Sequence, residues 1–320
     1  MSDDNKTIIP IFFAVDNNYA PLLHVALESI VSQASDAYVY NIHILSEDLS
    51  NENKESLLKH YDKNNFNVLI TDMAERIAAC AGKMHTRDYY SKATYFRVYI
   101  PEMFPQYDKA LYLDSDIALN ADVSELYNFE LGEHCVGAVT CEAVDTTPVF
   151  TEYAESYLGF KLPKYFNAGV MVLNLKAFRE TRFKDRFFDI LDKVKFEVAQ
   201  DQDYFNVLCK NRVLFLPKVW NKIPRPSSTD KLEDVKLVHY NLSFRPWRYD
   251  NVLYGELFWK HAKNSPAYEK LLEIKRNFTE KDAAYDRQWM TNLMNMAREQ
   301  ADRKETFYHQ LMNGKITLMR

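Results

Sequence analysis

Glycine is scarce in this chain: seven residues in 320, the first at Gly82. No G-x-G-x-x-G turn can therefore follow the first apolar run, and no G-x-x-x-x-G-K-[ST] loop occurs anywhere. Dinucleotide dehydrogenases and P-loop nucleotidases are excluded on that count. Sugar-1-phosphate nucleotidyltransferases, which need a glycine-rich N-terminal loop, fall with them. Cysteine is thin too. Cys80, Cys135, Cys141 and Cys209 form no C-x-x-C pair and no disulfide-like spacing, which suits free thiols in a reducing compartment. No apolar run reaches membrane-span length, and the polar start MSDDNKT, followed by a short run broken at Pro10, is no signal peptide. The expectation is a cytosolic protein. Positive charge is not in excess: the net charge of −5 gives no general argument for nucleic acid. Low-complexity segments and internal repeats are also missing.

What the chain does have is apolar mass, 47% hydrophobic and 14% aromatic. That is enough for one large domain, or one domain with an appendage. Residues 8–15 make a strand-length apolar run. Residues 21–33 carry helical spacing through Leu23, Ala26, Leu27 and Ile30, and 41–45 read as a strand. Ser50 is placed to cap a helix over 51–61, and 66–71 gives a third strand. This alternation predicts an α/β fold with a mostly parallel sheet, whose ligands gather at the carboxyl ends of the strands. Further strands are expected at 110–113, 136–141, 166–175, 213–216 and 235–239, with helices around 184–198 and 201–210. From about Tyr254 strand-like runs vanish. Residues 260–320 hold twelve Lys and Arg against eight Asp and Glu, and five of the ten methionines. We therefore divide the chain into a body, 1–253, and a helical extension, 254–320. The stripe Trp289, Leu293, Met296, Gln300 suits packing on the body or on a second copy. With Arg298, Arg303 and Lys304 beside it, peripheral contact with the inner face of an anionic membrane is the other reading.

Several residues could carry chemistry. Asp114 and Asp116 interrupt the apolar segment 111–119 (LYLDSDIAL) at i and i+2, positions that face the same side of an extended chain. Two hard oxygen ligands beyond a buried strand suit a divalent cation that also grips phosphate; an acidic turn is the plainer account of such a pair by itself. Asp16 and Asn18 follow the first strand and could bond a nucleobase edge and ribose, or cap a helix. Arg97, on a predicted amphipathic helix, could pair with a phosphate, hold an aspartate, or sit on the surface. Asn167-Ala168-Gly169 sets an amide beside a residue of free backbone, giving a sugar close access to the main chain, or else a β-bulge. Asp201 and Gln202 open a helix, as cap or as substrate contacts. His239 ends a strand; joined to two carboxylates it would complete a site suited to Mn²⁺ over Mg²⁺. Arg245 could then clamp a diphosphate.

The ordered set A-V-D-N-N-Y, Y-F-R, L-Y-L-D-S-D, Y-F-N-A-G-V, Q-D-Q-D and H-Y followed by R-P-W resembles glycosyltransferase family 8 over about residues 8 to 250. These retaining enzymes are similar to bacterial α-galactosyl- and α-glucosyltransferases of lipopolysaccharide and surface-glycan synthesis. The resemblance implies a GT-A fold over 1–253, a Rossmann-like mixed, mostly parallel sheet flanked by helices, with 254–320 as a helical appendage. It implies a UDP-glucose or UDP-galactose donor and Mn²⁺, or Mg²⁺ in its place. The acceptor would be a glycan, lipid-linked glycan or glycoprotein. By the same resemblance Asp114, Asp116 and His239 would bind the metal, and Ala14, Asp16 and Asn18 would contact uracil and ribose. Arg97, Ser115 and Arg245 would contact the donor, and Asn167 and Ala168 would line the sugar site. Asp201 would bond sugar hydroxyls, and Gln202 would lie near the anomeric carbon, opposite the leaving group. Gln202 is a poor nucleophile, so same-face displacement is favoured over a covalent intermediate. Two departures stand out. Leu242 and Arg245 occupy positions where the family typically has glycine and lysine. The family's aspartate after the strand ending at Cys141 has no clean match, with Glu142 or Asp145 as stand-ins. The competing readings are an inactive UDP-sugar-binding scaffold and a haloacid-dehalogenase-type phosphatase, whose D-x-D normally sits on the first strand.

Overall fold

A computed structural model describes residues 6–78, Gly82 and 91–319; Cys80 lies outside them. Nine strands run in chain order among the described residues: β1 (Thr7–Ala14), β2 (Tyr38–Ser46), β3 (Phe66–Asp72), β4 (Lys109–Leu113), β5 (Ile117–Leu119), β6 (Val136–Thr140), β7 (Phe166–Asn174), β8 (Val213–Phe215) and β9 (Leu237–His239). Seven of them form one sheet in the order β3-β2-β1-β4-β7-β6-β8. Strands β3, β2, β1 and β4 are mutually parallel, β7 runs antiparallel to β4 and β6, and β8 is parallel to β6. The expected mixed, mostly parallel sheet is therefore present.

Its central strands are covered on both faces, which explains their continuous apolar runs. Ile11, Phe12 and Phe13 of β1 are all fully buried. Phe12, Tyr112 and Met171 point into one core with the helix Phe183–Lys193, whereas Ile11, Phe13, Leu111 and Val170 point into the other with the helix Ala20–Gln33. Ser50 caps the helix Asn51–Tyr61 as expected, accepting from Asn53 N at 3.2 Å. The helix expected over 184–198 stops at Lys193, and the segment carrying Arg97 is a 3-10 helix, Lys92–Tyr99.

Strands β5 and β9 leave the main sheet and pair with each other, antiparallel, with Ile117 opposite His239. This small ribbon lies beyond the carboxyl end of β4, and it positions the site described below.

The extension is helical: Gly255–Asn264, Tyr268–Asn277, Glu280–Ala301 and Phe307–Met312. It shares cores with the body. Phe258 is fully buried, with its ring 5.6 Å from that of Tyr240 and 5.3 Å from that of Trp247, in a cluster with Leu22 and Val25 of the first helix. Trp289, Leu293 and Ala297 join the cluster of Phe150, Tyr153 and Phe196. Their apolar stripe is thus turned inward. No helix among the described residues is long and apolar enough to cross a membrane.

Because Phe258 fills a core built from both parts of the chain, Phe258→Ala should lower the unfolding free energy by about 3–5 kcal/mol. Urea denaturation followed by fluorescence and by circular dichroism should give one coincident transition; two separate transitions would mean that the extension unfolds by itself.

Candidate active site

The backbone brings the acidic pair and the distant imidazole together. Asp114 follows β4, and its N–H donates to Gly169 O at 2.7 Å. Across the ribbon, Tyr240 N donates to Asp116 O at 2.8 Å, so His239 arrives beside the second carboxylate. His239 Nε2 lies 3.2 Å from Asp116 Oδ1 and 3.7 Å from Asp114 Oδ2. One donor atom from each residue falls within 4.8 Å of the others. Burial works against charge on the His239 ring, but the facing Asp116 and Asp114 outweigh it and hold its pKa above the ordinary histidine value. Burial likewise opposes charge on Asp116, yet His239 and Arg245 bring its carboxyl below the usual range. Burial leaves Asp114 raised, with Arg97 and His239 offsetting it only in part.

The other ring nitrogen fixes the tautomer. His239 Nδ1 lies 3.0 Å from Asn221 Oδ1, and Asn221 Nδ2 donates to Asn167 Oδ1 at 2.8 Å. Asn167 Oδ1 also accepts from Gly169 N at 3.0 Å, which sets the direction of the chain of bonds. Asn221 thus presents an oxygen to Nδ1–H and turns the Nε2 lone pair toward the carboxylates, as a metal-binding imidazole requires.

Gly169 completes the fit. A Cβ there would clash with Asp114 Oδ2 and His239 Cε1. The expectation was that this glycine's free backbone admits a sugar. Its φ lies outside the left-handed region, however, and the missing side chain makes room for Asp114 and His239 themselves. Two carboxylates, a correctly turned imidazole and a cradle that a methyl group would fill suit a divalent cation.

The residues expected at the sugar site converge on the same place. Gln200 stands at φ 48°, ψ −122°, a strained backbone for a residue with a side chain. It is the cap position of the helix Asp201–Leu208, so Asp201 is not the cap but the first helical residue. Its Oδ2 lies 3.2 Å from Arg97 Nε, and burial pushes its carboxyl up to about 6 against that guanidinium. Arg97 is 4% exposed; it also donates to Ala168 O and lies 3.4 Å from Asp114 Oδ1. Of its three readings, the one that holds aspartates is realised. Gln202 Oε1 accepts from Ala168 N at 3.0 Å and Asn167 Nδ2 at 3.3 Å, while its Nε2 donates to Tyr165 Oη at 3.1 Å. Beneath it, fully buried Asp203 accepts from Tyr165 Oη at 2.6 Å, Tyr153 Oη at 2.8 Å and Ala199 N at 3.0 Å. Burial raises Asp203 to about 6.

Arg97, Asp114, Asp116, Asn167, Ala168, Asp201, Gln202 and His239 line one cavity of about 210 Å³. Ala14, Asp16 and Tyr19 line it at the β1 end; Ser115, Asn241, Leu242 and Arg245 also border it. Asp16 is a cap as well, accepting from Asn18 N at 2.9 Å and Tyr19 N at 3.2 Å. Asn18 itself is exposed and does not line the cavity. Leu242 stands at φ 55°, the left-handed conformation that glycine favours. The loop keeps that shape at a cost of about 1–2 kcal/mol. Arg245 is 6% exposed, with Nη1 3.9 Å from Asp286. Neither Glu142 nor Asp145 borders the cavity. Cys141 does; burial pushes its thiol up to about 11, so it is no nucleophile. Cys135, Cys141 and Cys209 are free thiols. Sequence reasoning missed Tyr19, Asn221 and Asn241, which carry no local pattern, and saw Trp289 and Leu293 only as an apolar stripe.

The sequence profile of Glycosyl transferase family 8 matches residues 10–251. Lipopolysaccharide 1,2-glucosyltransferase of Escherichia coli (strain K12) is 27% identical over 270 residues, covering 79% of this chain and 77% of the relative. A Haemophilus influenzae protein is 28% identical over 67% of this chain, which spans 63% of that relative's length. Among solved structures, the galactosyltransferase LgtC in complex with donor and acceptor sugar analogs superposes with a TM-score of 0.67 at 26% identity, covering 81% of this chain and 96% of that one. The bifunctional glycosyltransferase WbbM gives 0.73 at 26% identity, over 87% of this chain and 53% of that one.

Titration calorimetry with Mn²⁺ and Mg²⁺ as probes tests the cation site. Asn221→Ala should weaken binding roughly 10–100-fold, and Gly169→Ala should abolish it while far-ultraviolet dichroism stays unchanged. Asp203 predicts a pH effect. Its raised pKa lets the folded chain hold a proton that the unfolded chain releases, so its contribution is full below about pH 4 and lost as pH rises through about 6. Denaturant titrations between those limits should show the wild type losing about 2–3 kcal/mol relative to Asp203→Asn; parallel profiles would reject this.

Proposed function

The chain belongs to glycosyltransferase family 8, and from that premise we propose that it is a retaining hexosyltransferase. In this reading it moves glucose or galactose from a UDP-sugar to an acceptor hydroxyl, with a bacterial surface glycan as the product class. The observation that carries it is the convergence of Asp114, Asp116 and His239 on one cavity with Asp16 and Gln202. The activities of two of the similar proteins, the Escherichia coli lipopolysaccharide 1,2-glucosyltransferase and the galactosyltransferase LgtC, support a hexose donor.

Each residue has a part that follows from its surroundings. Asp16 and Ala14, at the carboxyl end of β1, take the uracil and ribose end of the donor. Held by Asp114, Asp116 and His239, Mn²⁺ would act as a Lewis acid that offsets charge on the leaving diphosphate. Arg245 adds a fixed positive charge on that side; one such group is commonly worth about 3 kcal/mol. Asn167 and Ala168 border the hexose, and Asp201, paired with Arg97, accepts from its hydroxyls. Gln202 is locked by bonds from Ala168, Asn167 and to Tyr165, so its carboxamide braces the sugar face and does not attack it. With Asp201 engaged by Arg97 as well, a covalent glycosyl intermediate lacks a free nucleophile. Same-face displacement remains: the acceptor oxygen bonds C1 as the phosphate departs, and the acceptor proton passes to that phosphate.

An inactive sugar-nucleotide scaffold was the alternative, on the ground that Leu242 spoils the diphosphate loop. Its backbone, at φ 55°, takes the conformation a glycine would favour there, which weighs against that alternative. Hydrolysis of UDP-glucose and UDP-galactose with Mn²⁺ tests the proposal. Asp116→Asn should cut turnover by roughly 10²–10³. Tight UDP binding by the wild type without turnover would favour the scaffold, and a glycosyl adduct on Asp201 would overturn same-face displacement.

A further inference from the structure

The turn that carries Arg245 is held from outside, by residues beyond 251, where the family match ends. Arg248 N and Tyr249 N both donate to Arg245 O, at 3.0 and 2.9 Å. That single helical turn sets the side chains of 245, 248 and 249 on one side. Facing them is Asp286 of the helix Glu280–Ala301, 3% exposed. It accepts from Arg248 Nη1 at 3.0 and 3.2 Å and from Tyr249 Oη at 2.8 Å. Its Oδ1 also lies 3.9 Å from Arg245 Nη1. A second helix of the extension, Tyr268–Asn277, grips the same turn. Its Lys275 Nζ donates to Pro246 O at 3.3 Å and lies 2.8 Å from Asp250 Oδ1.

A carboxylate buried as deeply as Asp286 needs positive partners, and here two guanidinium groups share it. One positive charge is left over. Of the two arginines only Arg245, 6% exposed, borders the cavity with Asp114, Asp116 and His239, so the surplus charge is presented there. A guanidinium is a planar fork that can lie on a carboxylate with one edge and meet phosphate oxygens with another. The cluster also explains what fixes the fork in place. Both arginines reach the same oxygen, Asp286 Oδ1, at 3.0 and 3.9 Å, and without its charge they would repel each other at short range. This inference rests on the donor reading given above, in which Arg245 meets the leaving diphosphate. We propose that Asp286 is a positioning residue for that diphosphate: it orients the Arg245 guanidinium and makes the helix Glu280–Ala301 part of the donor site.

The test measures binding of UDP by titration calorimetry, and of uridine by ligand-observed NMR, to the full chain with Mn²⁺. Asp286→Asn keeps the shape and an acceptor for Arg248 but removes the charge. It should weaken UDP roughly tenfold or more, and leave uridine, which has no phosphate, at the wild-type value. Arg245→Ala should weaken UDP likewise, and Asp286→Asn added to Arg245→Ala should change nothing further. A helix that only props up the fold would lower both ligands together and would act regardless of Arg245. Tyr249→Phe removes only the phenol bond to Asp286 and should give a smaller loss, about two- to fivefold. The proposal is overturned by UDP affinity that stays or rises in Asp286→Asn or, where that variant is unfolded, in Tyr249→Phe. An equal fall for uridine, or losses that add in the double variant, would overturn it too. A wild type that does not bind UDP brings down the donor reading itself, and this inference with it. A wild type that binds UDP, with Arg245→Ala binding it equally well, removes the inference alone.

Discussion

Everything at the site depends on one short antiparallel pairing. Strands β5 and β9 have three residues each, and their register sets Ile117 opposite His239. Without that ribbon, Asp116 and His239 would be separated by more than 120 residues of chain. The pairing lies outside the main sheet, so it is free to hold its own register. A slip of one residue would turn the imidazole to the opposite face of the ribbon, away from the carboxylates. Fully buried Ile117, Ala118, Leu119, Leu237 and Val238 make such a slip costly.

Close packing then does the rest. Gly169 sits directly under Asp114 and His239, and the amide chain from Gln202 through Asn167 and Asn221 ends on the ring nitrogen of His239. Gln202, Asn167, Asn221 and His239 are therefore one hydrogen-bonded unit. Its second layer, Tyr165 and Tyr153 on Asp203, buries a carboxylate to keep the Gln200–Gln202 turn in its strained shape.

Much of this was legible in the sequence. The acidic i, i+2 pair after a core strand, the strand-ending histidine and the strand–helix alternation all have local signatures, and each lies where those signatures put it. Other features were hidden for physical reasons. Asp201 reads as a cap because Asp favours that position, but Gln200 takes it in a backbone conformation that no propensity would assign. Gly169 reads as a flexible residue, whereas its role comes from two side chains far away in sequence. Asn221 follows a tryptophan in an unremarkable stretch; only its partner, His239, gives it meaning. Leu242 reads as a broken glycine, yet its backbone adopts the glycine-like angles. In each case tertiary contact, and not local pattern, set the outcome.

The helix Glu280–Ala301 has a consequence for how the molecule comes into being. The residues that seat the acidic pair and the imidazole are all synthesised by His239, but Trp289 and Leu293 follow some fifty residues later. At roughly 5–20 residues per second on the ribosome, the nascent chain spends several seconds with Phe150 and Tyr153 lacking the partners they have in the finished core. Over that interval the cavity has only part of its apolar wall, and its closure waits on the last fifth of the chain.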